Sequence, residues 1–487
     1  MTGRVLLCLS TVAACLRAGE PEASPAGEFP VRAFGAAGDG VTDDTVAFQK
    51  ALDAAAAVGG VARVDPVGPG LGYVLTRSVR LPPGTSLIGA PAGMPFFLWE
   101  GVPREKQRGQ VILARPAEEE FRGQTKRPLF ELGGGNTVRG LYILYDQQPW
   151  PADVDLERPD TPYPYPTFEA FRERFVADHG RPYGPTFYGT HAASVTLEDI
   201  TCHGYWDFVV FRVAGKVFIE RIYLYGYGRA FAIQEGPDTV RIRGIHLVPN
   251  VSTAISWQHA RLQAAIAWRP ENAAFEFGAV DGYSVSDVVA FLVHTGFRLG
   301  ASPERPFANP VTGESFVTPW GRGPWGSVEN AKLDNVAVGF EAVTGTMLPN
   351  QFHNIMVHVS LPVAERLPVE GGEASRAAAF LLGPGFGGAT LQVTSLAVSS
   401  FAPTRVLAGA QMLQQSNGRV FLLACPGDDR PVDYADRTRA HLEVSGLVLS
   451  NVPASHLVGQ ATGNRAALRV TGIIHNGTRV ADLATGE

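Results

Sequence analysis

A short unit recurs along the chain in which two polar or glycine positions separate two apolar ones. It reads Val138-Arg-Gly-Leu141, Leu197-Glu-Asp-Ile200, Ile219-Glu-Arg-Ile222 and Ile242-Arg-Gly-Ile245. It returns as Val285-Ser-Asp-Val288, Leu333-Asp-Asn-Val336, Phe352-His-Asn-Ile355, Val393-Thr-Ser-Leu396, Val444-Ser-Gly-Leu447 and Val470-Thr-Gly-Ile473. From Leu197 through Ile219 to Ile242 the step is about 22–23 residues, a solenoid-like period, and several larger gaps are near twice that. Each unit predicts a strand that bends at its polar or glycine position and continues with Val/Ile/Leu alternation. One such coil cannot bury its inward face alone, so coils must stack, and stacked parallel strands form long sheets with aliphatic ladders inside. A β-sandwich also has many short strands, but it needs hairpins, and Asn-Gly or Asp-Gly signals are sparse between these units.

Before the first unit the pattern is helical. Gly38-Asp39-Gly40 predicts a tight turn, Thr42 and Asp43 are good N-cap residues, and Asp43 and Asp44 place negative charge at a helix N-terminus. Thr45 to Ala57 carries an apolar face of Phe48, Leu52 and Ala55 with Ala51 beside it, and Gly59-Gly60 stops the helix. Such a helix suits a lid on the open end of a solenoid.

Length alone, at 487 residues, suggests about three domains. A solenoid grows along one axis, so residues 29–487 are expected to form a single domain. The net charge of −6 carries no block of like charge. This argues against a nucleic-acid partner and gives no electrostatic reason to expect a polyanion. Residues 1–28 read as a targeting segment: Arg4 precedes the apolar run Val5–Leu16, too short to span a bilayer. Val12-Ala-Ala-Cys15 resembles a bacterial lipobox, which would make Cys15 a lipid anchor; the other reading is a signal cleaved before Phe29, with Glu20–Pro30 as a tether. Either predicts a secreted, periplasmic or outer-membrane-anchored bacterial protein without a transmembrane helix. Cys202 and Cys425 are expected as buried free thiols, and neither cysteine nor histidine spacing suggests a metal or other cofactor.

The repeat vanishes between Asp146 and Thr190, where the chain is rich in Pro and Tyr; this long loop at 146–190 is expected to be functional. A second irregular patch, Trp257 to Asn272, holds Trp257, His259 and Trp268, and a third, Ser302 to Gly326, holds Trp320 and Trp325. Aromatic rings of this kind stack on the apolar faces of sugars, or merely pack loops onto the coil. Gly133-Gly-Gly135 precedes a strand and is no phosphate cradle, and Asn476-Gly-Thr478 reads as a turn.

The stretch Phe34-Gly-Ala-Ala-Gly-Asp-Gly-Val-Thr-Asp-Asp-Thr45 resembles the opening signature of the pectate-lyase-like superfamily, in its rhamnogalacturonase/epimerase-like form. Gly60-Val-Ala-Arg-Val64, Gly72-Tyr-Val-Leu-Thr76, Val79-Arg-Leu-Pro-Pro-Gly84 and Leu87-Ile-Gly89 are similar to that family's first coils. The resemblance covers roughly the first third of the chain. It implies an all-β, single-stranded right-handed parallel β-helix with a capping α-helix, a loop-edged cleft along one sheet, and a polysaccharide or oligosaccharide substrate. It does not specify a reaction, because lyases, glycoside hydrolases, epimerases and non-catalytic spikes share the fold.

The polygalacturonase motif set is absent: Arg241-Ile-Arg243 and Cys202-His-Gly204 are only partial matches. No acidic cluster fits a calcium-dependent pectate lyase. By the same resemblance, the residue before a coil's second strand faces the cleft. Two successive coils, Cys202-His-Gly-Tyr-Trp-Asp207 and Tyr225-Gly-Tyr-Gly-Arg229, put Asp207 and Arg229 at one ladder position, about 5 Å apart. For a hydrolase, Asp207 with Glu235, Glu276 or Asp281 would supply the two carboxylates. For a lyase, Arg229 with His203 or Tyr227 would supply cation and base. Trp206, Tyr227, His203, Trp257 and Trp268 are the candidate substrate contacts. The expectation is a carbohydrate-active enzyme cleaving glycosidic bonds, hydrolysis preferred, with β-elimination or non-catalytic glycan binding as alternatives. An ion pair with no catalytic role would account for Asp207 and Arg229 equally well.

Overall fold

The apolar positions of the repeat stand opposite one another on successive parallel strands. Val138, Leu197, Ile219, Ile242 and Val285 form one inward row, continued by Val328, Phe352, Val393, Val444 and Val470. These contacts belong to a computed structural model. It describes residues 27–68, 70–89, 110–148, 180–248, 269–318, 322–345, 348–360, 366–369, 372–386, 390–399, 418–425, 440–461 and 466–485. Residues 1–26 of the expected targeting segment with Cys15, the 149–179 part of the long loop, and Trp257 and Trp268 lie outside the described residues; Glu28–Pro30, expected as the end of a tether, is instead a strand paired parallel with Val61–Arg63.

The third position of each unit has a physical role. Gly140, Asp199, Arg221, Gly244, Asp287, Asn330, Asn354, Ser395, Gly446 and Gly472 all have φ between 52° and 76°. A single left-handed residue turns the strand through a corner without ending it, which favours Gly, Asn and Asp. One expected unit is out of phase. Val328-Glu-Asn-Ala331 pairs with Val285-Ser-Asp-Val288, whereas Leu333 aligns with Ala290, one inward row further on. Leu333-Asp-Asn-Val336 imitates the unit because Asn335 is also left-handed, at φ 54°. The doubled gaps are insertions within single coils: Ile242 pairs directly with Val285, and Val285 with Val328.

Each complete coil has three runs: the limb before the corner, the limb after it, and a strand of a second parallel sheet. That second sheet carries Val209–Gly215, Phe231–Gly236, Thr295–Leu299, Val338–Ala342 and Ala378–Leu382 among its strands. Its inward row is aromatic. Phe275 and Phe297 stack with centroids 4.5 Å apart, Phe297 and Phe340 at 4.9 Å, and Phe340 and Phe380 at 4.7 Å. Val209 interrupts the row, and Phe208 fills the gap edge-on to both Phe187 and Phe231. With parallel crossovers of this kind the winding is right-handed.

The N-terminal end is closed by the helix Thr45–Ala56, whose Phe48, Ala51, Leu52 and Ala55 are fully buried. Its start differs from expectation. Asp44 occupies the N-cap position but turns its carboxylate away from the helix to accept Ala37 N–H (2.6 Å), Gly38 N–H (3.2 Å) and Val74 N–H (3.3 Å). Asp43 accepts Thr45 N–H at 3.0 Å, while Asp39 holds the turn by accepting Val41 and Thr42 N–H at 2.8 and 2.7 Å. The acidic signature is thus a set of staples tying the lid to the first coil. At the other end, Asn476-Gly477 turns the chain so that Thr478–Arg479 and Leu483–Thr485 pair antiparallel on the last rung. Cys202 and Cys425 are buried free thiols. No helix of the described residues is long and apolar enough to cross a membrane.

Candidate functional site

Strand alternation sends one residue of each aromatic triplet outward from the second sheet. In Phe275-Glu-Phe277, Phe297-Arg-Leu299 and Phe340-Glu-Ala342 the outward residue is charged, and its sign alternates. The result is a buried ladder. The Arg229 guanidinium donates to Asp207 through Nη2 (3.0 Å) and Nε (3.2 Å), and its Nη1 lies 3.5 Å from Glu276. Arg298 donates to Glu276 at 2.9 Å and to Glu341 at 2.9 Å, and Arg376 donates to Glu341 at 2.6 Å. The segment Ala301–Thr318 lies over part of this row: Arg229 donates to the Ala308 carbonyl at 2.7 Å and its guanidinium sits 5.3 Å from the Phe307 ring. Burial works against the ionised Asp207 carboxyl, but the charge and hydrogen bonds of Arg229 prevail and hold it below the usual range. Glu341 is held down in the same way, by Arg298, Arg376 and Arg305 against its own burial.

At the open side of Asp207 the arrangement changes. Trp206 is half-buried and lies parallel to Tyr227, with centroids 5.9 Å apart and planes 10° apart. The Arg269 guanidinium is 4.1 Å from the centre of the indole and the Lys126 ammonium 5.5 Å. Burial pushes the Lys126 amine below its usual pKa; Asp207 opposes this, and Arg269 and Arg229 add to it. Gly228 allows the two coils to approach, because a Cβ there would meet the Trp206 carbonyl oxygen at 2.3 Å and Asp207 Oδ1 at 2.9 Å. The site therefore gathers an indole with the Arg269 guanidinium over its face, a buried carboxylate held below its usual pKa by Arg229, and an amine whose pKa burial lowers.

Of the residues singled out from sequence, the structure joins Asp207, Arg229 and Glu276 in one network and sets Trp206 and Tyr227 beside it. Glu235 is not part of this network as described; it is half-buried at the end of its strand, in register with Val213 and Ala279. Asp281 belongs to the other sheet, where it accepts the Trp325 indole N–H at 3.2 Å. His203 is a core residue, 1% exposed, with Nδ1 3.2 Å from the Tyr142 hydroxyl, and burial pushes its pKa down to about 3. Lys126, Arg269, Arg298 and Glu341 were not anticipated. The alternating charges at the centre of the aromatic triplets were the readable signal for the last two; Lys126 and Arg269 come from segments without repeat character.

Residues 29–113 match the family described as Rhamnogalacturonase A/epimerase, pectate lyase-like. No curated protein matches the chain. Among solved structures, an exopolygalacturonase from Thermotoga maritima is similar, with 14% identity, a TM-score of 0.44, and 96% of this chain and 95% of that one covered. The A-module of the mannuronan C-5 epimerase AlgE6 from Azotobacter vinelandii is 14% identical, with a TM-score of 0.42 and coverage of 92% and 99%. The gp42 tailspike of Acinetobacter phage vb_AbaP_AS12 is 11% identical, with a TM-score of 0.42 and coverage of 93% and 64%. These likenesses are too distant to carry chemistry. Residues 29–113 thus match a pectate-lyase-like family, and the described residues as a whole form a parallel β-helix.

Proposed function

We propose that this protein is a carbohydrate-active β-helix protein that binds a polysaccharide over Trp206 and cleaves its glycosidic bonds there. The observation that carries the reading is the gathering of Lys126, Arg269 and Asp207 around one half-buried indole. With Arg269 over its face and Tyr227 parallel to it, the indole orients the cations, and those cations suit an acidic sugar. The arrangement favours β-elimination over hydrolysis. In that reaction a base removes the proton next to the sugar carboxylate, the bond to the leaving oxygen breaks, and a carbon–carbon double bond forms while the leaving oxygen takes up a proton. Lys126, 5.5 Å from the indole centre and moved by burial in the direction a base needs, is the candidate base, and Arg269 on the same ring is the candidate to hold the carboxylate.

A second reading, hydrolysis, rests on Asp207 and Glu276 standing on either side of Arg229 as two carboxylates. Asp207 is held ionised by Arg229, which suits a base, with Glu276 as the second carboxylate. The N-terminal apolar segment supports action outside the cytoplasm in either case.

Lys126→Met and Trp206→Ala separate the two readings when assayed on acidic and neutral polysaccharides. Elimination predicts ultraviolet-absorbing unsaturated ends whose rate falls at least about 100-fold in Lys126→Met, in the range of a lost general base. In Trp206→Ala, KM should rise more than kcat falls. New reducing ends without ultraviolet absorbance, undiminished in Lys126→Met, would favour hydrolysis instead.

A further inference from the structure

On the first sheet, away from Trp206, the outward row before the corners runs through Phe218, Arg241, Ser284, Ser327 and Gln351, all in direct register. These side chains floor an open groove of about 880 Å³. That volume lies within the roughly 300–1,000 Å³ of small-ligand clefts. At about 4.8 Å per rung the floor extends roughly 19 Å, a spacing commensurate with the sugar repeat of an extended glycan.

Its side wall is a built aromatic. Register shifts between Asp281 and Tyr283 where they pair with Trp325 and Gly326, and such an irregularity re-aims a side chain. Trp325 lines the groove, and its indole N–H is anchored on the Asp281 carboxylate at 3.2 Å. Gly326 makes the close pairing possible, because a Cβ there would meet the Tyr283 carbonyl oxygen at 2.0 Å. Across the floor Phe218 is 37% exposed, with the Arg241 guanidinium 5.8 Å from its ring. Serine hydroxyls and a glutamine amide lie along the floor with these rings. Rings for sugar faces, hydroxyls and amide for sugar hydroxyls, and a guanidinium for an acidic substituent make one coherent recognition surface.

We infer that this groove is a second, non-catalytic glycan-binding site, which takes an oligosaccharide segment with Trp325 as its stacking platform and Arg241 as its partner for a carboxylate or sulfate. It stands on a different sheet from the Trp206 cluster and does not depend on the reaction assigned there.

The test is binding by full-length protein to polygalacturonate, alginate, chondroitin sulfate and dextran, measured by calorimetry in wild type, Trp206→Ala, Trp325→Ala, Trp325→Phe and Arg241→Ala. Trp206→Ala should retain binding to at least one glycan, and adding Trp325→Ala should weaken that residual affinity at least 10-fold. Trp325→Phe, which keeps a ring, should recover part of it, and Arg241→Ala should weaken only the anionic glycans. Trp325→Ala alone should leave kcat on short oligosaccharides unchanged. Unchanged residual affinity when Trp325→Ala is added to Trp206→Ala, or loss of all binding in Trp206→Ala alone, would overturn the groove assignment while leaving the Trp206 site standing. Full binding in Trp206→Ala with loss in Trp325→Ala would do the reverse.

Discussion

Glu341 shows what the buried charges do for the fold. Its carboxylate meets Arg298 at 2.9 Å, Arg376 at 2.6 Å and Arg305 at 3.6 Å, and it is 2% exposed. Glu341→Gln leaves those cations without their counter-charge in a dry setting, so it should destabilise by about 3–5 kcal/mol, read from the urea midpoint. Arg221→Ala, which removes ion pairs to Asp199 and Glu198 from a half-exposed guanidinium, should change stability by less than about 1 kcal/mol. The folded pKa of Glu341 lies below its unfolded value. Its contribution is therefore complete above the unfolded carboxylate range, about 4.3, and is lost as pH falls from there toward the folded value. His203 acts at higher pH. Buried neutral with a pKa of about 3, it binds fewer protons than the unfolded chain between that value and about 6.5. Stability is then full above about 6.5 and falls by about 1.4 kcal/mol per unit as pH drops through that window. His203→Gln should flatten the slope between pH 6.5 and 5 in urea titrations; an unchanged slope would mean that the imidazole is protonated in the native state. At this scale the sequence was a partial guide. Adjacent coils made the Asp207–Arg229 pairing readable, but whether an ion pair is buried depends on Ala301–Thr318, which carries no periodic signal.

The recurring element is a bent strand plus one rung of phenylalanine. Its corners were legible because a left-handed position restricts residue choice, and so Gly, Asn and Asp recur in phase. Asn335 shows the limit of that rule, since a second left-handed residue on the same strand mimics the unit. The aromatic rungs stack continuously from Phe275 to Phe380. Phe297→Ala should cost about 3–5 kcal/mol. In a solenoid, energetic coupling is confined to neighbouring rungs. A double-mutant cycle should therefore give a coupling of at least about 0.5 kcal/mol for Phe297 with Phe340, and additive effects for Phe297 with Phe130. Equal coupling in both pairs would contradict a rung-by-rung core.

The whole molecule is a spiral closed at one end by a helix and at the other by a short antiparallel turn, with different chemistry on its two exposed sheets. One carries the ion-pair ladder and the Trp206 cluster, the other the groove beside Trp325. The spiral itself followed from the phasing of aliphatic residues. The two sites followed only in part: Asp207, Arg229, Trp206 and Tyr227 stood on adjacent coils and Trp325 in an aromatic patch, whereas Lys126 and Arg269 come from segments without repeat character. The most direct test is to incubate the purified protein with acidic polysaccharides and identify the products by mass spectrometry and ultraviolet absorbance. Cleavage into oligosaccharides with unsaturated ends, abolished in Lys126→Met, is the predicted result. Intact polysaccharide after prolonged incubation with all acidic and neutral substrates would contradict it.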